Sequence, residues 1–297
     1  MKKICAILVA TSMGLIAACG GSSSVEGTPV AGVVADGYLQ NALVFMDKNS
    51  NYQLDSGEPS ATTDATGAYT LTIAPEDVGK YPIVAIAVAG QTIDQDNPGV
   101  TIDKTYVLCT PGAGVSGTVS NFISPISTLL REKLEANPGM TLAEATTQLR
   151  NQLGMPVGMN ILGDYVAGAR AGQYQTNYQA MHQVARQMAG LMASQSGLVM
   201  NGTTSANGTR FRGMMGQINE NLPQISDNAS RGFGMNSDFM ISMQSQMQTQ
   251  LAGIPTTSFR NFSSAFRNMT SYNYFWNYSG GRMQPMSGSM GGGMMGR

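Results

Sequence analysis

Charge is scarce in this chain. Asp, Glu, Lys and Arg make up 12% of its 297 residues, about half the share found in an average soluble domain. A single histidine and three cysteines leave little for histidine-dependent catalysis or a Cys/His zinc site. The patterns Gly-x-Ser-x-Gly, His-Glu-x-x-His and Gly-x-x-x-x-Gly-Lys are all missing, so no motif identifies a reaction and the chain is expected not to be an enzyme. A mean hydropathy of −0.08 excludes a multi-span helical membrane protein. Uncharged polar residues, 36 glycines and 22 methionines fill the gap.

What is present begins with an address. Lys2 and Lys3 precede an apolar stretch, 4–18, which is too short to remain as a bilayer-spanning helix and has the layout of a secretory signal. The stretch ends in Leu15-Ile16-Ala17-Ala18-Cys19, which resembles the lipobox of bacterial lipoproteins. That resemblance implies cleavage of residues 1–18, lipidation of Cys19 and attachment to a membrane through acyl chains, which exceed the two signals that stable anchoring needs. Residues 19–27, rich in Gly and Ser, are then a flexible tether. Gly20 stands where the family's inner-membrane retention signal would place Asp, so the resemblance implies the outer membrane, on its periplasmic or cell-surface face. With Cys5 removed and Cys19 acylated, Cys109 has no partner within the chain and a disulfide framework is excluded. Cys109 is expected to be a buried thiol.

Past the tether, composition changes along the chain. Residues 25–164 carry 15 acids and 6 basic residues, whereas 165–297 carry 3 acids and 9 basic residues, all Arg, together with 16 of the 22 methionines. Such a break predicts two structural units. The expected class is α+β: a small antiparallel β-sandwich over 28–112, an α-helical region over 113–254, and a disordered tail over 255–297. In the first unit, short apolar or alternating runs are separated by turn formers such as Asp36-Gly37 and Asn97-Pro98-Gly99. In the second, Pro125 opens a helix with Ile126, Leu129, Leu130 and Leu134 on one face, and Thr141-Leu142-Ala143-Glu144 is a capping box before a helix ending at Gly154. Tyr174, Tyr178, Met181, Ala185, Met188 and Met192 then repeat at heptad-like spacing. Phe211, Met215, Ile218 and Leu222 follow at similar spacing, and so do Met240, Met243, Met247 and Leu251. Methionine at these positions is read as core filling, and His182 as a packed or solvated side chain.

The most specific constellation lies in the first unit, from Asp47 to Glu58. Counting Asp47 as position 1, oxygen-bearing side chains fall at Asn49, Asn51, Asp55 and Glu58, and Gln53 at position 7 offers its carbonyl. This is the ligand spacing of a calcium loop, in which a hard cation gathers six to eight oxygens. Tyr52 departs from the pattern at position 6, where glycine normally permits the sharp turn. With Thr63-Asp64-Ala65-Thr66-Gly67-Ala68-Tyr69 after it, the loop resembles the calcium-binding B-type repeats of bacterial surface adhesins and, more loosely, carboxypeptidase regulatory-like domains. The resemblance spans about 30–110. It implies a calcium cofactor held by Asp47, Asn49, Asn51, Gln53, Asp55 and Glu58, with Asp64 in reach; an Asx-rich turn without metal is the other reading.

Two functional expectations follow. The leading one is a non-catalytic outer-membrane or cell-surface lipoprotein, a calcium-stabilised binding, adhesion or envelope-structural module that meets an envelope protein, a matrix polymer or a surface. The alternative is soft-metal handling: Met283, Met286, Met290, Met294 and Met295 offer thioethers, which select Cu(I). Nucleic acid is not an expected partner, given export and the net charge of −1.

Overall fold

The computed structural model describes residues 27–115 and 121–255. The signal segment, Cys19, the 255–297 tail beyond its first residue, and Met283, Met286, Met290, Met294 and Met295 lie outside the described residues. The class is α+β. Among the described residues nine strands come first: β1 Thr28–Val34, β2 Leu39–Gln40, β3 Leu43–Met46, β4 Ser60–Thr62, β5 Ala68–Ile73, β6 Ile83–Ala87, β7 Ile93–Asp94, β8 Tyr106–Thr110 and β9 Asn121–Ile123. Eight α-helices follow: α1 Pro125–Ala136, α2 Leu142–Leu153, α3 Tyr165–Gly168, α4 Gln175–Ser194, α5 Ser196–Val199, α6 Gly208–Glu220, α7 Leu222–Ser230 and α8 Asp238–Ala252.

The strands form a four-stranded sheet in the order β4-β3-β6-β8, a three-stranded sheet β5-β1-β9 and the small pair β2-β7. Pairing is antiparallel throughout except at β1 and β9, which run parallel with Val34 opposite Ile123. The alternation of Tyr69, Leu71 and Ile73 with exposed Thr70 and Thr72 is the period of a half-buried strand. By contrast, β6 and β8 are buried along their whole length, because α1 packs across β8. Cys109 is buried there, and burial pushes its thiol up to about 12.

Helix boundaries follow their caps. Thr141 and Glu144 form a reciprocal capping box at the start of α2, and Gly154 closes its end in the left-handed region at φ 67°. Ser124 caps α1 through Ser127. The three apolar stripes face inward as the spacing predicts: Met181, Met188, Met215, Met240 and Met247 are essentially inaccessible.

The two halves differ from the expectation in how they meet. Buried residues from strands and helices join one hydrophobic cluster, from Val30 to Leu251, so the compositional break is not a break in the core. The region expected to be helical also contributes β9, which adds to the first half's sheet beside β1. Tyr165 in α3 donates its hydroxyl to the Ala35 carbonyl at 2.9 Å, and Tyr38 donates to Asp164 at 2.8 Å.

Candidate functional site

Strand β3 delivers Asp47 into the 47–58 loop, and the Asp47 amide is anchored on the Pro82 carbonyl at 3.0 Å. The chain then wraps around this buried carboxylate. Asp47 Oδ1 accepts the Asn51 amide at 3.0 Å and Oδ2 accepts the Tyr52 amide at 3.1 Å. Asn49 Oδ1 also accepts from the Asn51 amide, and Asn51 Oδ1 accepts from the Gln53 amide. These are Asx turns, in which a short polar side chain takes the place of a backbone acceptor. Asp55 receives the side-chain amides of Asn49 and Asn51 on one oxygen, both at 2.7 Å, and that of Gln53 on the other at 3.3 Å. Glu58 closes the loop by accepting the Lys48 amide at 2.7 Å and the Asp55 amide at 3.0 Å. The Lys48 ammonium turns away to Asp77, 2.7 Å from its carboxylate, and makes no ion pair with a loop carboxylate.

Six of the seven residues singled out from the sequence thus share one hydrogen-bonded network. Asp64 does not join it through any of its bonds. Its carboxylate accepts from the Thr66 hydroxyl and from the Thr66 and Ala68 amides, closing the turn into β5. Those bonds, the Thr66 hydroxyl first, hold its carboxyl below the usual carboxylate range.

Tyr52 resolves the departure at position 6. Its φ is 59°, the left-handed conformation that glycine normally supplies at that point. The strain is held by burial. Its ring is inaccessible, lies tilted on Phe211 of α6 with centroids 4.8 Å apart, and has the Arg131 guanidinium 4.3 Å above it. Its hydroxyl donates to Glu132 at 2.6 Å. Tyr52→Gly removes about 1–2 kcal/mol of backbone strain but also a fully packed aromatic worth about 3–5 kcal/mol. A net loss of about 1–4 kcal/mol is expected in urea denaturation; an unchanged or higher stability means that the ring does not hold the loop.

Below the loop lies a buried ionic cluster that sequence reasoning missed. Arg131 of α1 is 1% exposed, 3.6 Å from Asp47 Oδ2 and 2.8 Å from Glu135. Glu132 is 3.9 Å from Arg212 of α6, and Glu135 is 3.1 Å from the same guanidinium. Burial first, and then the Glu135 charge, push the Glu132 carboxyl up to about 7 against the pull of both arginines. On the strand side, His182 Nε2 lies 2.9 Å from Asp96, which also pairs with Arg186 at 3.2 Å. Arg131 and Glu135 stand four residues apart on α1, but the other pairs join residues far apart in the sequence, and no local signal brings them together.

The donor chemistry suits a hard cation, because every group in the loop is an oxygen or carries one. Three neutral amides turn their NH2 groups toward Asp55, and the same amides rotated half a turn would present oxygen. Carboxylate oxygens that accept one amide keep a further lone pair. Among the described residues, however, no three acidic, His or Cys side chains are gathered into a metal-holding group, so a calcium ion here would need the neutral oxygens of Asn49, Asn51 and Gln53. Among the same residues no helix is long and apolar enough to cross a membrane. Comparison of the chain with protein-family models, with curated proteins and with solved structures finds no match, and the motif pair of 47–59 and 63–69 therefore carries the adhesin resemblance by itself.

Proposed function

We propose that the protein is a non-catalytic lipoprotein of the outer membrane, tethered through Cys19, whose calcium-stiffened β-part binds an envelope component, matrix polymer or surface. The β-part is read as a small sandwich and the helices as the support packed behind it. The observation that carries the reading is the wrap of the 51 and 52 amides around Asp47 with position 6 in the left-handed region. A calcium loop requires that path of its backbone, and here a tyrosine follows it at the cost of strain. In the bound state Asp47, Asp55 and Glu58 would supply the charge and Asn49, Asn51 and Gln53 the neutral oxygens, and calcium would offset two of the three carboxylate charges held within 12 residues.

A site of three carboxylates and three neutral oxygens, with Tyr52 where glycine is usual, is expected to have the weak affinity of extracellular modules, with Kd near 10⁻⁴ to 10⁻³ M. Binding to the folded state alone stabilises by about 2.7 kcal/mol at 100 times Kd. Millimolar calcium is therefore expected to raise the melting temperature of the full-length protein, and equal magnesium to raise it less. Asp55→Ala is the informative variant, because Asp55 touches the loop amides and not Arg131. It should remove the calcium shift while leaving the chelated protein nearly as stable as the parent. A melt indifferent to calcium and chelator reduces the loop to a turn.

A further inference from the structure

A cleft of about 400 Å³ opens between the 94–104 segment and α4, far in sequence from the 47–58 loop. Asp36, at the end of the run that contains β1, lines it and is 6% exposed. Asp36 Oδ2 accepts the Tyr106 hydroxyl at 2.9 Å, while Oδ1 is buried with no partner. Asp94 lines the same cleft and crowds the same turn: a Cβ placed on Gly37 would collide with Asp94 Oδ1 and come within 2.7 Å of the Asp96 carboxyl carbon. Asp96 is already matched by His182 and Arg186. Asp36 and Asp94 form no ion pair among the described residues. The remaining wall is mixed: Val100, Ile102, Ala189 and Ala193 supply apolar surface, Asn97 and Thr101 are polar, and Asp103, Lys104 and Arg186 are charged, with Arg186 already paired to Asp96.

We propose that this cleft binds a small organic cation, with its ammonium or guanidinium group on the Asp36 and Asp94 carboxylates and its apolar body along Val100, Ile102 and α4. A buried carboxyl oxygen without a donor is the strongest polar demand in the cleft, and a positively charged donor answers both acids together. A bare metal ion fits less well. It needs six to eight oxygens, whereas Val100, Ile102, Ala189 and Ala193 make part of this lining aliphatic, the volume is that of a small-molecule site, and no three-ligand group is formed among the described residues.

The groups facing Asp36 add a signature. Burial, then the charge of Asp94, push its carboxyl up to about 8, with Asp96 adding and the Tyr106 hydroxyl opposing. Tyr165 of α3 also faces it, and Arg186 and His182 of α4 face the neighbouring Asp94. In the empty protein Asp36 therefore holds its proton at neutral pH. Seating a cation expels that proton to solvent, so the bound complex is the ionised carboxylate, the ligand cation and one released H⁺.

The test is calorimetric titration of the full-length protein with n-butylguanidinium at pH 6, 7 and 8, each in two buffers of different ionisation heat. Saturable binding is expected, tightening close to tenfold from pH 6 to 7 and less toward pH 8, with nearly one proton released at pH 6. Asp36→Asn keeps the shape of the side chain and is expected to weaken binding at least tenfold and to abolish its pH dependence. Asp94→Asn is expected to weaken binding while keeping proton release. No saturation by 50 mM, or equal binding to Asp36→Asn protein with a native circular dichroism spectrum, overturns the proposal. Calcium alone producing the same heat and proton release overturns it in favour of a metal.

Discussion

Asp47→Ala is expected to lower the unfolding free energy of the chelated protein by about 3–5 kcal/mol, the cost of leaving one member of a buried ion pair uncompensated. Arg131 is inaccessible, and two of its nitrogens already lack hydrogen-bond partners, so the loss of Asp47 leaves its charge to Glu135 and the neighbouring Glu132. The same substitution orphans the Tyr52 amide and leaves the Asn51 amide with Asn49 Oδ1 as its acceptor. Arg131→Met should cost less, because Asp47 keeps its two amide donors and the methionine refills the apolar volume under Tyr52. The double variant Asp47→Ala/Arg131→Met should recover part of the loss. Urea denaturation of the parent, both singles and the double closes a mutant cycle, and a coupling of at least 1 kcal/mol is expected for residues in contact. A cost below about 1 kcal/mol for Asp47→Ala would mean that the 47–58 loop and α1 are energetically separate.

Stability is expected to fall as pH rises from 5 to 8, opposite to the usual gain on leaving acid. The Asp36 carboxyl, raised to about 8 by burial and by Asp94, and the Glu132 carboxyl, raised to about 7 by burial and by Glu135, hold protons that the unfolded chain has released by pH 5. The folded state thus binds more protons across this window, and linkage requires the unfolding free energy to drop with pH until both groups ionise. The stabilising protonation is fully present below the unfolded values near 4 and is lost as pH rises through the folded ones. Asp64, Asp96 and Glu144 are shifted downward and act in the reverse sense, but only below about pH 4. For Asp36 alone the effect is roughly 2–4 kcal/mol, since each tenfold gain in proton affinity is worth about 1.4 kcal/mol and the surroundings of a buried acid relax when it ionises. Asp36→Asn should match the parent near pH 5 and exceed it at pH 8. A parent whose urea midpoint is flat or rising from pH 5 to 8 contradicts the assignment.

The sequence was readable wherever a local rule decides. The capping box at Thr141 and Glu144, the glycine stop at 154 and the methionine stripes are set within a few residues, and the fold follows each of them. The loop was legible for the same reason, because its ligand spacing is an internal property of 12 consecutive residues. Its setting was not. Tyr52 looked like a flaw in a calcium loop because the partners that hold it, Glu132, Arg131 and Phe211, arrive from helices far along the chain. Arg131 and Glu132 lie beside the apolar stripe of Ile126, Leu129, Leu130 and Leu134, where an amphipathic helix would face solvent. Instead α1 is buried on nearly all sides from Pro125 to Glu132, since β8 covers one flank while α4 and α6 cover others. Strand β9 escaped notice because three residues are too few to show a period. The same holds for the pairing of Asp96 with His182, where an acid from the strand half meets the chain's single histidine across the shared core.

The position of β1 has a mechanical consequence. It is the first strand after the Gly/Ser stretch and the middle strand of its sheet, with six residue pairs to antiparallel β5 on one side and three to parallel β9 on the other. A pull delivered through Cys19 along the tether would load both ladders together in shear, and no edge is offered from which the strand could be unzipped bond by bond. Because β9 leads directly into α1, and α1 carries Arg131 beneath the 47–58 loop, that load would pass from the proposed anchor into the helical half and the loop at once. A molecule tied at this end would resist tension as a single block.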